Sequence, residues 1–490
     1  MSFSRRDTAS GRCELPASRG AKNSSDLAPF GARSLETLHG VYPEPVEGFR
    51  VTYNLFSRGS AITPVYNDWM PSGFLPSNWD VVIAGGGPAG FFAAIRCAEL
   101  NPGLKVLILE KARQTLGKVL ISGGGRCNVT HACFEPAQLV TYYPRGAAEL
   151  RGAFSRFQPA DTVNWFEERG VKLKTESDGR MFPVTDSSET IANCLRESAR
   201  HAGVLVRTGM SLKGAEKHAN EGFRLTVQQN RVEHGRNEAE LGDLQARKLL
   251  LATGSDSRTL DVVKSLGHTV EEPVPSLFTF KIKDQRIEGL AGISVESVTL
   301  KMDSVIQNGP LLITHWGLSG PVVLRVSAWG ARILHDKRYR APLIVNWLGN
   351  YTFDNALDVL QKHKDWHGNA RKKVSAEPGF TQLPIRLWKQ LTHFIGEKNW
   401  ADVSKVELRK LATELTAGEF RIEGKGQFKE EFVTCGGVKL NEVDFKTMQS
   451  RLVENLFFAG EVLDIDGLTG GFNFQSAWTT GWLAGNALSQ

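Results

Sequence analysis

The stretch DVVIAGGGPAGFFAA at residues 80–94 constrains the fold more than any other part of this 490-residue chain. A short apolar run, Val81 to Ala84, precedes glycines spaced Gly-x-Gly-x-x-Gly, and an alanine-rich segment with helical character follows. A second apolar run, KVLIL at 105–109, ends at Glu110. Strand, glycine turn, helix and second strand in this order predict a βαβ unit of the dinucleotide-binding type.

Each glycine of this motif has a distinct role in such a unit. Gly85 permits the tight turn, Gly87 lets the backbone approach a pyrophosphate, and Gly90 lets the helix pack closely on the strand. The start of the helix offers free N–H groups and a positive dipole end to phosphate. Glu110 is expected to accept hydrogen bonds from a ribose diol. The motif alone leaves NAD and FAD as alternatives.

Three further stretches favour FAD, and two of them lie late in the chain. LLLATG at 249–254 predicts a strand that returns to the sheet and places Thr253 and Gly254 near the cofactor. In the C-terminal ENLFFAGEVLDIDGLTGGFNFQSAW, a short strand leads to Gly460 and Glu461, where an acid can bind ribityl hydroxyls. Gly470–Gly471 then precede a predicted helix, whose positive end would stabilise the negative charge of a reduced flavin.

A second triple glycine, 123–125 in GKVLISGGGRCNVTH, is predicted to fold back toward the same crevice. Backbone without side chains can pass close to a flat ring or a pyrophosphate. Arg126 is expected to pair with phosphate or a substrate carboxylate, and Asn128 to orient polar atoms of cofactor or substrate. The alternative is a glycine hinge with a merely solvated Arg126. Cys127 fits a packed, inert thiol better than a reactive one.

These motifs together resemble the BaiN/YhiN-like family of NAD(P)/FAD-dependent oxidoreductases. The resemblance runs from about residue 79 to the end, through SGGGRCNVT, THWGLSGP and FAGEVLDIDGLTGGFNFQSAW. It implies an α/β chain: a Rossmann-like FAD-binding domain of the glutathione-reductase type, with an inserted β-rich domain that carries a helical subdomain. It also implies FAD as cofactor, NAD(P)H as transient electron donor and a small-molecule substrate. The segment ATGSDSRTLDVVKSLG departs from the family's more glycine-rich loop and leaves that edge of the cofactor site in question.

The glycine motifs and the resemblance together define an expected set of cofactor-binding residues. The set is Gly85, Gly87, Pro88, Ala89, Gly90, Glu110, Lys111, Lys118, Gly123, Gly124, Gly125, Arg126, Cys127, Asn128, Thr253, Gly254, Gly460, Glu461, Gly470, Gly471, Phe472 and Asn473. The predicted catalytic residues are His315, Arg126 and Asn128. His315, in THWGLSGP, is the predicted proton donor, since an imidazole can deliver a proton near neutral pH. A structural histidine at a domain interface is the alternative for His315. No metal site is expected.

The pattern of elements predicts six successive segments. They are a disordered or adventitious extension (1–78), the first part of the FAD domain (79–270), the inserted β-rich domain (271–352), the helical subdomain (353–413), return strands of the insert (414–432) and the C-terminal part of the FAD domain (433–490). Strands are predicted throughout 309–329, GPLLITHWGLSGPVVLRVSAW.

The composition indicates where the protein is expected to be located and which partners it is expected to have. The six cysteines form no CxxC pair, which favours free thiols and a cytoplasmic location, and no apolar run is long enough to span a membrane. The net charge of +6 is mild, and the basic cluster at 371–373 lacks interleaved aromatics, so no nucleic-acid partner is expected. The oligomeric state is left open. Three alternatives to an NAD(P)H-dependent reductase stay open: a flavin oxidase or dehydrogenase using oxygen or a quinone, an FAD-binding RNA-modifying protein, and a non-catalytic FAD sensor.

Overall fold

Residues 77–218, 222–233, 236–426 and 433–490 are described by the structure, a computed structural model. Of the predicted N-terminal extension, only the last two residues are described. The final six residues of the predicted return strands lie outside the described residues.

The first part of the chain alternates strands and helices, as the βαβ prediction requires. Its elements are β1 (Asn78–Ala84), α1 (Pro88–Leu100), β2 (Val106–Glu110), α2 (Gly117–Gly125), β3 (Thr130–His131), α3 (Pro136–Leu139), α4 (Ala147–Phe154), α5 (Pro159–Glu167), β4 (Leu173–Thr175), β5 (Arg180–Pro183), α6 (Ser188–His201), β6 (Leu205–Thr208), β7 (Met210–His218), β8 (Gly222–Glu233), β9 (Arg236–Leu251) and α7 (Ser257–Ser265).

The middle of the chain is rich in strands and then in helices. Its elements are β10 (Val270–Ser276), β11 (Phe280–Lys281), β12 (Ser294–Met302), β13 (Val305–Thr314), β14 (Gly317–Ser319), α8 (Pro321–Trp329), α9 (Ala331–Asp336), β15 (Ala341–Asn346), α10 (Phe353–Asp365), α11 (Ile385–Leu391), α12 (Lys405–Ala417), β16 (Gly418–Ile422) and β17 (Gly424–Lys425). The last part contains β18 (Val433–Val438), β19 (Val443–Asp444), β20 (Gln449–Ser450), β21 (Leu456–Phe458) and α13 (Phe472–Leu488).

The main sheet is a Rossmann-type sheet with strand order β6-β2-β1-β9-β21-β20-β19. Neighbours from β6 to β21 run parallel, in the register Ile83↔Ile108 and Ile83↔Leu250. The apolar runs 81–84 of β1, 106–109 of β2, 249–251 of β9 and 456–458 of β21 are buried on both faces. β7 and the long β8–β9 hairpin extend the sheet on an antiparallel side branch.

The first and last helices of the nucleotide-binding domain pack tightly against each other. Glycines on α13 make this possible, because a Cβ at Gly481 would lie 2.7 Å from the carbonyl oxygen of Ala89. A Cβ at Gly485 would lie equally close, at 2.7 Å, to the carbonyl oxygen of Ala93. The C-terminal helix therefore belongs to the same core as the residues of the first βαβ unit.

The inserted region leaves and rejoins this domain through a two-stranded antiparallel ribbon. β10 pairs with β18 from Val270↔Val438 to Ser276↔Val433. Between them lies a separate antiparallel sheet with strand order β16-β15-β12-β13-β14-β11-β17. Helices α10 to α12 share its hydrophobic core, which is centred on the fully buried Trp347, Trp388 and Trp400.

The prediction of strands throughout 309–329 is wrong for its last nine residues. The chain forms β13 and β14 and then turns at Gly320 into α8, Pro321–Trp329. Val322, Val323 and Val326 are fully buried, so the β-branched run that reads like a strand is the core-facing side of a helix. Pro321 fits the helix start, where its missing N–H costs nothing.

Candidate functional site

The first glycine turn contains two kinds of glycine. Gly85 has φ of 115°, and a Cβ there would lie 2.3 Å from the carbonyl oxygen of Ala252; at Gly90 it would lie 2.0 Å from the carbonyl oxygen of Gly85. The protein's own packing therefore requires both. Gly87, with φ of −92°, would place a Cβ with no atom within 4 Å, so it opens onto free space just before α1.

Glu110 is held in place at the end of β2 by backbone donors. Its Oε2 accepts from the Gly86 N–H at 2.9 Å, and its Oε1 accepts from the Ala112 N–H at 2.7 Å. A carboxylate has about four acceptor positions, so each oxygen retains one for a further donor such as a ribose hydroxyl.

A cleft opens beside Glu110, between the ends of β1, β2 and β9. Thr253, Lys111 and Asp256 line it, and the last two form an ion pair across it. The buried Thr253 Oγ1 has no hydrogen-bond partner in the structure. Buried hydroxyls are normally paired, so this atom is suited to a ligand group that enters the cleft.

Predicted residues from three parts of the chain meet on the other side of β9. Lys118 of α2 forms an ion pair with Glu461, and a Cβ at Gly254 would lie 3.9 Å from a charged atom of each. Gly460 has φ of 73°, and a Cβ there would lie 2.9 Å from the Cβ of Ala89, in the first turn of α1. The ends of β9 and β21 thus converge on the start of α1.

The second glycine run forms a left-handed turn at the end of α2. The φ values of Gly123, Gly124 and Gly125 are 57°, 68° and 84°. Gly123 is required by packing, since a Cβ there would lie 2.9 Å from the ring of Phe182. A Cβ at Gly124 or Gly125 would have no atom within 4 Å, so these two glycines open onto free space.

Arg126 is engaged with protein groups. Its Nη1 lies 2.6 Å from Glu176 Oε1 and 3.6 Å from Asp186 Oδ1, and its guanidinium lies over the Phe182 ring at 4.1 Å. The alternative of a merely solvated Arg126 is therefore wrong, and its predicted contact with phosphate or carboxylate stays a prediction.

Cys127 is fully buried at φ of 62°. Burial raises the pKa of this thiol to about 12, so it stays protonated at neutral pH.

Asn128 joins the two glycine-rich ends of the site. With its amide oriented to satisfy both neighbours, Oδ1 accepts from the Gly471 N–H and Nδ2 donates to the Thr130 carbonyl, each at 3.0 Å. A Cβ at Gly471 would lie 2.5 Å from that same carbonyl oxygen. Asn473 fixes the preceding loop, since it accepts from the Gly467 N–H and donates to the Gly467 carbonyl, each at 2.8 Å.

An aromatic cluster beside Gly470 was not predicted from the sequence. The Phe472 ring stacks on Tyr142 at 4.3 Å and on His131 at 4.7 Å between ring centroids. Burial lowers the pKa of His131, and its buried Nδ1 has no hydrogen-bond partner. In the sequence, His131 directly follows SGGGRCNVT, but its approach to Gly470 comes with the close contact between Thr130 and Gly471, which lie far apart in the chain.

His315 lies in the inserted domain, in the exposed turn between β13 and β14. Within the described ranges, no hydrogen bond or ion pair joins it to the glycine segments. Its neighbour Trp316 donates to Thr279 Oγ1 at 3.1 Å. The role of His315 as proton donor therefore stays a prediction, and His131 is the histidine that lies beside the glycines.

We also searched the part of the chain that the structure describes for metal-ligand clusters, disulfides and membrane-spanning helices. No cluster of three or more metal-ligating side chains occurs there. The five cysteines in these ranges are all free. None of the helices described has the length and hydropathy needed to span a membrane.

Comparison with known proteins identifies relatives across most of the chain. A family profile described as HI0933-like protein Rossmann domain matches residues 79–487. The 3-dehydro-bile acid delta(4,6)-reductase of Clostridium scindens is 27% identical over 412 residues, which cover 83% of this chain and 98% of that protein. The ribosomal RNA dihydrouridine synthase of Escherichia coli is 27% identical over 420 residues, covering 82% and 96%. That of Haemophilus influenzae is 27% identical over 428 residues, covering 84% and 98%.

Proposed function

The chain belongs to the HI0933-like family, and on that premise we propose that it is a reductase that uses FAD and NAD(P)H to saturate a carbon–carbon double bond conjugated to a carbonyl group. Family membership confirms the resemblance, the Rossmann-type fold and the oxidoreductase class predicted from the sequence. The electron donor, the acceptor and the individual site residues belong to the proposal.

One observation carries the proposal for the cofactor. Gly87 lies after β1, at the carboxyl edge of the parallel sheet, and it leaves open space where a side chain would stand, as do Gly124 and Gly125 in the turn that ends α2. Ligands of open α/β sheets bind at this edge. The unpartnered Thr253 hydroxyl and the free acceptor positions of Glu110 lie beyond the ends of β9 and β2, and Asn128, close after Gly125 in the chain, bonds to Gly471. An elongated dinucleotide would span these segments.

Different residues are proposed to contact the adenosine ribose, the pyrophosphate and the flavin ring of FAD. Glu110 would accept from the adenosine ribose, and Gly87 with the first turn of α1 would face the pyrophosphate. Gly124 and Gly125 would lie against the flavin ring, with the start of α13 behind its pyrimidine edge. The departure in ATGSDSRTL falls beside Thr253, where the Lys111–Asp256 ion pair closes the cleft.

Bound FAD supplies hydride transfer from a nicotinamide to an electron-poor carbon. The chain's part is to orient the cofactor and to stabilise developing negative charge with the free backbone N–H groups and dipole at the start of α13. His131 lies beside this helix start, and burial lowers its pKa, so its neutral imidazole would orient the substrate carbonyl by a hydrogen bond while solvent supplies the proton that completes the reduction.

The names of the relatives point to one acceptor chemistry. A delta(4,6)-reductase of 3-dehydro bile acids and a dihydrouridine synthase each saturate a double bond conjugated to a carbonyl. The acceptor of this chain is accordingly an enone-like carbon. A uridine in ribosomal RNA is a second candidate because two relatives carry that name, and it opposes the sequence-based prediction of no nucleic-acid partner.

The test is an anaerobic absorbance titration of the purified protein with NADH and then NADPH. A yellow protein that bleaches with either supports the proposal, and its colour should return on adding a 3-keto-4-ene steroid or ribosomal RNA. Mass spectrometry of digested RNA distinguishes the two acceptors by the gain of two hydrogens on uridine. A colourless protein that takes up no FAD would contradict the cofactor assignment, and resistance to both nucleotides would favour an oxidase or a sensor.

A further inference from the structure

Arg145 is a largely buried cation whose guanidinium makes four hydrogen bonds. Its side chain is 13% exposed and pairs through two nitrogens with Asp466, whose side chain is fully buried. Its Nη1 donates to the Ala328 carbonyl at 2.6 Å, and its Nη2 lies 3.4 Å from Ser276 Oγ. Ser276 Oγ in turn donates to Asp466 at 2.8 Å.

These partners belong to different parts of the molecule. Arg145 and Asp466 lie in loops of the nucleotide-binding domain. Ser276 is the last residue of β10, where the chain leaves for the inserted domain, and Ala328 lies in α8 of that domain. The Arg145 guanidinium therefore contacts the nucleotide-binding domain, the ribbon of β10 and β18, and the inserted domain.

The loop that holds Asp466 leads directly to the proposed flavin site. Asp464 N–H donates to the Val438 carbonyl of β18 at 3.1 Å, which ties the start of the loop to the returning ribbon strand. Leu468 N–H donates to the Tyr142 carbonyl at 2.9 Å, close to Arg145 in the chain. Gly470 and Gly471 follow within three residues. A displacement of Asp466 must therefore move the glycines before α13.

A second arginine repeats the contact from the insert. Arg332 of α9 places Nη2 2.8 Å and 2.7 Å from the two carboxylate oxygens of Asp464. Its side chain is 43% exposed, so this outer pair contributes less than the buried one. Both acids of LDIDG, Asp464 and Asp466, thus pair with arginines that belong to the insert or contact it.

We propose that Arg145 is a positioning residue that couples the placement of the inserted domain to the glycine loop at 466–471. The inference rests on the proposed function in one respect only, that this loop faces the flavin. Packing alone would hold the domains together, but a planar fork bonded to a carboxylate, a hydroxyl and a carbonyl fixes both distance and orientation.

The test compares Arg145→Lys with Arg156→Lys in the full-length, FAD-loaded protein. Lysine keeps the charge but cannot bridge all three partners. Arg156 is a matched control because it is exposed and donates one hydrogen bond, to the Lys446 carbonyl. The readouts are amide hydrogen exchange, the dissociation constant of FAD, and the separate rates of flavin reduction and reoxidation.

For Arg145→Lys we expect exchange at 464–471 and in β10 to rise about tenfold while β1 and β2 stay protected. Flavin reoxidation by the acceptor should slow at least about tenfold with FAD affinity changed less than about threefold. Arg156→Lys should leave both unchanged. If Arg145→Lys does not fold, Ser276→Ala, which removes the two hydrogen bonds that Ser276 makes in the cluster, should show the same exchange pattern more weakly.

Unchanged exchange at 464–471, or a uniform rise across the whole chain, would overturn the coupling. Because hydrogen exchange needs no substrate, its outcome is independent of whether the proposed reaction is correct. A protein that bleaches with neither nicotinamide nucleotide but shows the expected exchange pattern would keep the coupling and refute the proposed function.

Discussion

At the scale of single residues, Gly85 is required by packing and Gly87 is proposed to contact the cofactor. A matched pair of alanine substitutions separates these two roles. Gly85→Ala places a Cβ 2.3 Å from the Ala252 carbonyl oxygen at positive φ, so we expect a loss of about 3 kcal/mol or more in unfolding free energy. Gly87→Ala meets no atom and should cost no more than about 0.5 kcal/mol, yet weaken FAD binding at least about tenfold. Urea denaturation and FAD fluorescence measure both. Equal FAD affinity in Gly87→Ala and the native protein would contradict the pyrophosphate contact.

Thr253 offers a prediction in which stability and binding change in opposite directions. Thr253→Val removes a buried hydroxyl that has no partner, so the FAD-free protein should gain about 1 kcal/mol. FAD should bind about fivefold more weakly, because the ligand loses its hydrogen bond. Thr253→Ser, which keeps the hydroxyl, is the control. A valine variant that binds FAD as tightly as native protein would show that the hydroxyl faces no ligand.

At the scale of elements, a buried histidine makes stability depend on pH. His268, between α7 and β10, lies 3.0 Å from Glu442 and 2.8 Å from the Ser450 hydroxyl. Burial lowers its pKa below the ordinary 6.5, although Glu442 opposes this. The unfolded chain therefore takes up a proton that the folded chain does not, and stability falls as the pH drops below about 6.5.

His268→Gln should flatten this dependence. We expect the Tm of the native protein to fall between pH 7 and pH 5, and to fall less in the variant. His131 and His363, whose pKa values burial also lowers, contribute slopes of the same sign and leave a residual dependence. A native Tm that rises on acidification would contradict the neutral, buried imidazole.

Elements whose signals are local were predictable, and those fixed by distant contacts were not. The first βαβ unit follows from adjacent residues: an apolar run, a glycine turn and a second apolar run. α8 was mistaken for a strand because a run of buried valines has the same composition in both. The cluster of His131, Tyr142 and Phe472 comes with the close contact between Thr130 and Gly471, which lie far apart in the chain, so no local pattern records it.

At the scale of the whole molecule, the paired strands β10 and β18 predict that the insert is separable. Ser276 and Val433 lie opposite each other, so a two-residue turn should replace 277–432. The shortened protein should bind FAD and bleach with the donor, but fail to reduce the acceptor. In the full-length protein, Leu324 and Ala328 of the insert pack on the core of the nucleotide-binding domain. Removing the insert exposes the apolar surface beneath them, so the shortened protein needs polar substitutions at that surface. Absence of FAD uptake in a folded variant would show that the insert completes the cofactor site.

The close packing of α13 on α1 has a consequence for biosynthesis. The nucleotide-binding sheet lacks β21, and its first helix lacks a cover, until the ribosome has synthesised the entire insert. The inserted domain has its own core and can fold before α13 is synthesised. The first βαβ unit cannot bury its apolar surface until α13 is available to pack on α1. We therefore expect FAD to be captured only after synthesis is complete, and nascent chains stalled before residue 472 should bind chaperones and no FAD.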